Sequence, residues 1–426
     1  MKLAKIGVLG VIALLAFAAC SPGPGSSGGA GGKVIKIGTE LPMSGAETAN
    51  GEPTANGVKL AIKQANAKNA IPGYTLDINV QDDAVNGAHN AQQGATNMHT
   101  LVSDTSVIGV VGPFNSSVAQ VEIPVSNEAG LLQCSPANTT TGLTYPPDSL
   151  KLRPNNPDKI NYVRLAAPDS NQGPAGADYT YTDLGAKTVF ILDDAETFGV
   201  GVGDSYSARF KELTGTVTKR STAPKSTTDY TPLFTAAAGD SPAAVYLAGT
   251  TPTGMGLALK QGRTVAGFET IPFVGPDGVA DLGPGGTKGA TITVAGAAAA
   301  NVHGTVAGVH DLPGGSTFNA DYNTEFGKAP GAYSAIAYAC AQIIIANAAK
   351  AITGGTTDLA ALREAVRATT VAAGNAYDTV IGSVSFDKNG DITTPYMSFY
   401  KTDLTAAGGK GDWVYVKQQA FTDPNK

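Results

Sequence analysis

The feature that most constrains the fold is a repeated alternation of short β-branched runs with segments of helical periodicity. Residues 34–41 have the composition of a strand, residues 54–67 place apolar side chains at helical spacing, and residues 74–81 alternate as a half-buried strand does. A second helical segment covers residues 88–102, and a buried apolar strand covers residues 107–111. The order strand, helix, strand, helix, strand predicts a parallel, right-handed α/β sheet.

The same alternation starts again in the middle of the chain. The chain has 426 residues, which is more than one hydrophobic core usually serves, so we expect two α/β lobes. Ligands bind beyond the carboxyl ends of parallel strands, and two such sheets facing each other form a cleft. The later elements are predicted as strands at 188–192, 243–247 and 271–274, helices at 204–213, 253–262, 333–351 and 359–367, and paired strands near 380–386 and 396–400.

The N-terminus has the layout of an export signal. Two lysines precede an apolar segment, residues 6–19, that is short for a permanent membrane helix, and small residues lead into Cys20. The ending Phe17-Ala18-Ala19-Cys20 resembles the bacterial lipobox, in which the cysteine is lipidated and becomes the mature N-terminus. We therefore expect a lipoprotein signal peptide at residues 1–19 and lipidation of Cys20. An ordinary secretory signal with an incidental cysteine is the alternative.

The segment that follows predicts a tether between this anchor and the folded body. After its cysteine, the segment 20–32 contains only Ser, Pro, Gly and Ala, which cannot bury enough apolar surface to fold. The formal net charge of −6 disfavours nucleic acid and anionic membrane surfaces as partners. We expect a monomer that is exported and lipid-anchored to the outer face of the cytoplasmic membrane or lies in the periplasm.

Motifs for catalysis or metal binding are sparse. His89, His99, His303 and His310 have no cysteine or carboxylate at metal-ligand spacing, so we expect surface or capping roles for them and no metal or cofactor. The glycine-rich residues 199–203 lack the G-x-G-x-x-G spacing of a dinucleotide loop and read as a turn that lines a cleft. The sequence shows no nucleophile–base set, and we do not expect an enzyme.

Two further cysteines, Cys134 and Cys340, could pair in an oxidising compartment. Each lies in an apolar context, where a buried free thiol behaves as a small hydrophobe. We favour two buried thiols over a disulfide.

Residues 111–144, VGPFNSSVAQVEIPVSNEAGLLQCSPANTTTGLT, resemble a block of the periplasmic leucine/isoleucine/valine-binding protein family. That block carries a glycine, a Ser-rich turn that opens a helix, and a strand that ends in Ser-Pro-x-x-Thr. Other landmarks agree in order with the family over residues 34 to about 416. They are Pro42-Met43-Ser44-Gly45, Asp82-Asp83-Ala84, Asp169-Ser170-Asn171-Gln172-Gly173 and Phe273-Val274-Gly275-Pro276-Asp277-Gly278.

The resemblance implies the type I periplasmic binding protein fold, with two Rossmann-like lobes, parallel sheets and three hinge crossovers. It implies an N-terminal lobe of residues 33–165 and 297–394 and a C-terminal lobe of residues 166–296 and 395–426. The crossovers are expected near residues 163–167, 293–297 and 394–396. Two cysteines that form a disulfide in the family align with Val85 and Asn115, so that disulfide is absent.

The resemblance also implies how a ligand is held. Ser116 aligns with the serine that binds the ligand's α-carboxylate, and Ala137 and Thr139 align with the carbonyl and the hydroxyl and amide groups that complete the cradle. Asn115-Ser116-Ser117 opens a predicted helix, whose free amides attract an anion. Asp277 aligns with a glutamate that pairs with the ligand's ammonium. The alternatives are an N-cap role for Ser116 and turn roles for Thr139 and Asp277.

The side-chain pocket departs from the family. The family's aromatic residues align with Asn50 and near Thr250, and Phe198 replaces a tyrosine. The loss of two aromatic walls argues against a simple pocket for leucine and favours a polar or larger ligand side chain. Asn50 and Thr250 could equally be loop residues that face water.

We therefore expect a lipid-anchored solute-binding receptor that captures an amino acid, branched-chain-like or more polar, between its lobes. The family delivers such solutes to an ABC permease and its ATPase, and no cofactor is implied. One alternative is a carboxylate or amide ligand that is not an amino acid. Another is a tethered sensor that presents its closed form to a signalling receptor.

Overall fold

The structure is a computed structural model that describes residues 33–421. The expected signal peptide, the lipidation site Cys20 and the tether lie outside the described residues, as do residues 422–426.

The first part of the chain alternates strands and helices. Ile35 and Ile37 of its first strand are fully buried, as expected of a β-branched run in a sheet core. The third helix ends at Gly130, whose φ of 63° lies in the left-handed region that favours glycine. The elements are β1 (Lys33–Leu41), α1 (Thr48–Ala67), β2 (Tyr74–Asp82), β3 (Ala84–Val85), β4 (Ala88–His89), α2 (Ala91–Ser103), β5 (Val107–Val111), α3 (Ser116–Ala129), β6 (Gln133–Ser135), α4 (Asp148–Lys151) and β7 (Tyr162–Arg164).

The middle of the chain repeats the alternation. Its elements are α5 (Asp169–Asp178), β8 (Thr188–Asp193), α6 (Thr197–Glu212), β9 (Thr216–Thr222), α7 (Thr231–Ala238), β10 (Ala244–Ala248), α8 (Gly256–Gly262), β11 (Phe273–Gly275), α9 (Thr291–Ala295) and β12 (Val302–Val306). The C-terminal part then adds α10 (Gly315–Phe326), α11 (Ser334–Thr353), α12 (Leu359–Val371), β13 (Ala376–Thr379), β14 (Gly382–Ser385), β15 (Tyr396–Asp403), a helical turn at Ala406–Gly409, and β16 (Asp412–Ala420).

Two sheets organise these elements into two lobes. The first is parallel throughout, in the order β2-β1-β5-β6-β7. The second has the order β16-β15-β12-β11-β10-β8-β9, and only its β15 and β16 run antiparallel to their neighbours. The expected α/β fold with two parallel sheets is confirmed.

The pairing of the later strands corrects two expectations. We expected the second crossover near residues 293–297, but β12 still pairs with β11 and β15 in the second sheet, so the chain returns to the first lobe only after residue 306. We also expected strands near 380–386 and 396–400 to pair with each other. Instead β14 forms a hairpin with β13, and β15 pairs with β12 and β16.

Cys134 and Cys340 form a disulfide with a Cα–Cα distance of 5.7 Å, so the expectation of two free thiols is wrong. Both cysteines are fully buried, as their apolar surroundings indicated. Because α11 packs against the first sheet, its Cys340 lies directly over Cys134 of β6.

Helix α11 is long and apolar enough, by length and composition, to cross a membrane. Its most apolar stretch is 61% buried, and it packs against α1, α12 and β5. It is therefore the core helix of the first lobe.

Residues beside two of the lobe connections form a buried ion pair. The Arg164 guanidinium lies 2.5 Å from the Asp391 carboxylate, and both side chains are almost completely buried. Arg164 also donates to the carbonyl oxygen of Thr140 at 2.7 Å and to the hydroxyl of Thr144 at 2.7 Å. The ion pair ties the end of β7 to the segment that precedes β15, and the two hydrogen bonds tie it to the segment that follows β6.

Candidate ligand-binding cleft

A cleft lies between the carboxyl ends of the two sheets. Six of the seven residues predicted to bind ligand line it together: Ser116, Ala137, Thr139, Phe198, Thr250 and Asp277. Asn50 does not line it; that residue lies in the first turn of α1, where its carbonyl oxygen accepts a hydrogen bond from Thr54 at 2.7 Å.

One wall of the cleft is the start of α3. Ser116 is buried and is the first residue of the helix, and the preceding Asn115 occupies the N-cap position without a side-chain capping bond. Ser116 is therefore not the N-cap, and its hydroxyl accepts a weak hydrogen bond from the amide of Thr140 at 3.4 Å. The free amides of the first turn and the helix dipole favour an anion at this position.

The loop that carries Ala137 and Thr139 is held against this helix start. Asn138 donates from its side-chain amide to the carbonyl oxygen of Phe114 at 2.7 Å and accepts from the hydroxyl of Tyr162 at 2.9 Å. The loop therefore presents Ala137 and Thr139 beside Ser116, as a cradle for a carboxylate requires.

Asp277 faces this cradle from the other lobe. It follows β11, and burial raises the pKa of its carboxyl group to about 6. Its carboxylate accepts a hydrogen bond from the hydroxyl of Tyr333, which belongs to the first lobe. The Tyr333 ring packs edge-on against Phe114, with 5.3 Å between the ring centroids.

Thr250 has a local role in addition to lining the cleft. Its hydroxyl accepts from the amide of Thr253 at 3.3 Å and so caps the following helical turn. Its own amide donates to the carboxylate of Asp194 at 3.2 Å, and Asp194 also lines the cleft.

Sequence reasoning missed a second buried carboxyl group near Asp277. Asp169 begins α5, is almost completely buried, and its amide donates to the carbonyl oxygen of Thr139 at 2.7 Å. Burial, and next the charge of Asp277, raise the pKa of Asp169 well above its usual range. The signal was present in the block Asp169 to Gly173 that resembles the family, but the sequence did not show that this carboxyl group lies next to the cradle.

His89 was expected at the surface or in a capping role, and that expectation is wrong. The imidazole is buried and lines the cleft. Its Nδ1 lies 2.8 Å from Glu47, and its Nε2 lies 3.8 Å from Glu196 of the opposite lobe. Burial alone would lower the pKa of His89, but the two glutamates outweigh it and raise that pKa to about 10. The imidazole is therefore charged at neutral pH. His303 is also buried but lies outside the cleft, 3.1 Å from the hydroxyl of Tyr179.

Within residues 33–421, no group of three or more His, Cys, Asp or Glu side chains is placed to hold a metal ion.

This arrangement has an anion cradle at a helix N-terminus on one lobe and a buried carboxyl group on the other. Such an arrangement is typical of the class of two-lobed receptors that bind a small solute between their lobes. The sequence profile of the family described as "Periplasmic binding protein" matches residues 34–410. The chain belongs to this family, which makes it an extracytoplasmic solute-binding protein of the ABC transporter class.

Known proteins resemble the chain over most of its length. The Leu/Ile/Val-binding protein BraC3 of Rhizobium johnstonii is 27% identical over 375 residues, which cover 86% of this chain and 91% of that protein. The structure of LivJ from Streptococcus pneumoniae in complex with isoleucine superposes with a TM-score of 0.71 at 23% identity, covering 90% of this chain and 100% of that one.

A third relative shares the fold with a different ligand. A solute-binding protein from Rhodopseudomonas palustris in complex with 3,4-dihydroxybenzoic acid superposes with a TM-score of 0.70 at 20% identity, covering 92% of this chain and 99% of that one. The resemblance to the leucine/isoleucine/valine-binding family is confirmed.

Proposed function

We propose that this protein is a lipid-anchored receptor that captures an amino acid between its lobes and delivers it to an ABC permease. The observation that carries the proposal is the pairing, across one cleft, of the helix start at Ser116 with the buried carboxyl group of Asp277. An α-amino acid presents a carboxylate and an ammonium group on one carbon, and the cleft offers each group a partner of opposite charge.

The two partners lie on different lobes, so a ligand that contacts both would hold the lobes together. Such closure is the hinge motion of periplasmic binding proteins, and the closed form is what a permease would recognise. The ligand is branched-chain-like or more polar, in keeping with the BraC3 and LivJ relatives. The protein itself carries out no chemical step, and its partner ATPase supplies the energy of transport.

A ligand without an ammonium group is the second candidate, and Tyr333 is the observation that favours it. The Tyr333 hydroxyl already donates a hydrogen bond to Asp277. The carboxyl group of Asp277 therefore keeps a donor even when the ligand is a carboxylic acid or an amide that has no ammonium group. The R. palustris relative with its bound dihydroxybenzoic acid supports this second candidate. A tethered sensor would bind its ligand in the same cleft. A kinase gene next to the gene for this protein, in place of permease genes, would indicate the sensor role.

The lipid anchor of this proposal is supported by the lipobox-like sequence that ends at Cys20. Lipidation of Cys20 would retain the protein in the membrane fraction of cells, because several acyl chains together bind a bilayer stably. Recovery of the mature protein in the soluble fraction would contradict this part of the proposal.

The test is a thermal-shift screen of ligand-free protein against the L-amino acids, simple carboxylates and amides. A ligand at one hundred times its dissociation constant stabilises the native state by about 2.7 kcal/mol, which gives a clear rise in the melting temperature. A shift with one or a few amino acids supports the proposal. A shift with carboxylates or amides alone selects the second candidate, and no shift with any compound contradicts both.

A further inference from the structure

A row of four alternating charges crosses the cleft from one lobe to the other. Glu47 lies 2.8 Å from Nδ1 of His89, and Nε2 of His89 faces the carboxylate of Glu196 at 3.8 Å. Glu196 in turn lies 3.2 Å from the ammonium group of Lys225. Glu47 and His89 belong to the first lobe, and Glu196 and Lys225 to the second. His89 and Glu196 both line the cleft beside the residues that would hold an amino acid.

The contact between His89 and Glu196 is the longest of the three in this row. A distance of 3.8 Å between nitrogen and oxygen is too long for a hydrogen bond. The imidazolium therefore presents an N–H donor, and the carboxylate an acceptor, side by side in the wall of the cleft. An aliphatic ligand side chain placed there would bury both groups and bond neither, which is costly.

The row is electrically balanced, with His89 and Lys225 against Glu47 and Glu196. The imidazolium of His89, at 3.8 Å, and then the ammonium group of Lys225 lower the pKa of Glu196 to about 2, so this carboxyl group is charged at neutral pH. Asp83 also faces His89, and burial raises its pKa well above the usual range, which favours its neutral form. A charged ligand side chain would thus add an uncompensated charge to a buried site.

We propose that His89 and Glu196 select an amino acid whose side chain is neutral and carries both a hydrogen-bond acceptor and a donor, namely a carboxamide. This inference rests on the function proposed above and names the class of ligand for the same cleft. The amide oxygen accepts from Nε2–H of His89, and the amide N–H₂ donates to the carboxylate of Glu196. The rings of Phe114 and Phe198 remain available to contact the methylene part of the side chain.

Two sets of amino acids of nearly equal shape test the proposal. Titration calorimetry on ligand-free protein compares L-asparagine with L-leucine and L-aspartate, and L-glutamine with L-methionine and L-glutamate. We expect one amide to bind at least tenfold more tightly than the other two members of its set, because a site with buried hydrogen-bonding groups rejects analogues that lack them. If leucine or methionine binds as tightly as the amide, the inference is overturned while the receptor function stands. If no amino acid binds at all, the amino-acid function fails and the inference fails with it.

The substitution Glu196→Gln distinguishes two roles of Glu196: selection of the ligand side chain, or only a structural contact between the lobes. It removes one negative charge from the row and leaves the site with an excess positive charge. The preference for the amide over the carboxylate of the same shape should therefore fall at least tenfold. Glu212→Gln, at the exposed end of the same helix α6, is the matched control and should leave that preference unchanged. If Glu196→Gln weakens all ligands equally, Glu196 is only a contact between the lobes and the proposal is wrong.

Discussion

At the scale of single residues, recognition of an amino acid depends most directly on Asp277. We predict that Asp277→Asn keeps the shape of the side chain and its contact with Tyr333 but removes the charge that pairs with an ammonium group. Loss of one partner of a buried charge pair costs about 3 kcal/mol, which is roughly a 100-fold weaker dissociation constant. Calorimetry with the tightest amino acid of the ligand screen measures this change.

The exposed Asp240 of the same lobe provides the control, since Asp240→Asn should leave binding unchanged. Unaltered affinity in Asp277→Asn would show that the ammonium group binds elsewhere. Carboxylates without an ammonium group should lose no affinity in this variant, which also separates the two candidate ligand classes.

Residues at the carboxyl ends of strands were the easiest site residues to predict. Ser116, Thr139 and Asp277 each lie in the loop or helix start that comes after a strand, and parallel sheets bring such positions together. His89 and Tyr333 were missed because their environment is set by distant segments: His89 acquires its charge from Glu47 and Glu196, and Tyr333 meets Asp277 only across the cleft.

At the scale of elements, the disulfide joins strand β6 to helix α11 across 206 residues of sequence. A crosslink of this length restricts the unfolded chain strongly, so we predict that replacement of both Cys134 and Cys340 by alanine lowers the free energy of unfolding by about 2–5 kcal/mol. Urea unfolding of the oxidised parent and of the double variant measures the difference. The parent under reducing conditions should unfold close to the double variant, and detection of two free thiols in the native parent would contradict the pairing.

Strong β-branched runs and long helices could be predicted from sequence, and weak elements could not. β12 has the sequence Val-His-Gly-Thr-Val within a stretch rich in alanine and glycine, and it forms because β11 and β15 pair with both of its edges. Because this strand was missed, the crossover was expected near residues 293–297, whereas the chain leaves the second sheet only after residue 306. Local sequence does not encode the partners that make such a strand stable.

At the scale of the whole molecule, the sequence predicted two lobes but not how they meet. The lobes touch through Tyr333 and Asp277, through the row that contains His89 and Glu196, and through a hydrogen bond of 3.1 Å between Thr197 and Gln120. Each contact joins residues far apart in the chain, and none has a signature in local sequence. These contacts hold the two lobes against each other.

The first lobe also buries three carboxyl groups close together, Glu40, Asp83 and Glu122. Asn97 donates to Glu40 at 3.0 Å, and Gln133 donates to Glu122 at 2.8 Å. Burial raises the pKa of Glu40 to about 7 and the pKa values of Asp83 and Glu122 well above the usual range. These groups therefore hold protons in the folded protein at pH values where the unfolded chain has lost them.

This cluster, together with the buried Asp169 and Asp277 of the cleft, makes the stability of the whole protein depend on pH. A carboxyl group with a raised pKa stabilises the fold below its unfolded pKa of 4.5, and the contribution is lost as the pH rises through the folded pKa, about 7 for Glu40. The raised pKa of His89 acts in the same direction between 6.5 and about 10, whereas the lowered pKa of His303, about 4, opposes it only below 6.5. We predict that the free energy of unfolding, measured in urea, falls by a few kcal/mol from pH 5 to pH 8, at about 1.4 kcal/mol per pKa unit.

The variant Glu122→Gln measures how much of this pH dependence comes from the cluster. Glutamine cannot ionise, so removal of this carboxyl group should flatten the fall in stability between pH 5 and pH 8, and its side-chain oxygen can still accept from Gln133. Glu128→Gln is the matched control, because Glu128 lies on the same helix α3 but is exposed, and it should keep the slope of the parent. A parent whose stability rises from pH 5 to pH 8 would mean that the buried carboxyl groups are ionised in the folded state. A Glu122→Gln slope equal to that of the parent would mean that the dependence comes from elsewhere, with His89 as the next residue to substitute.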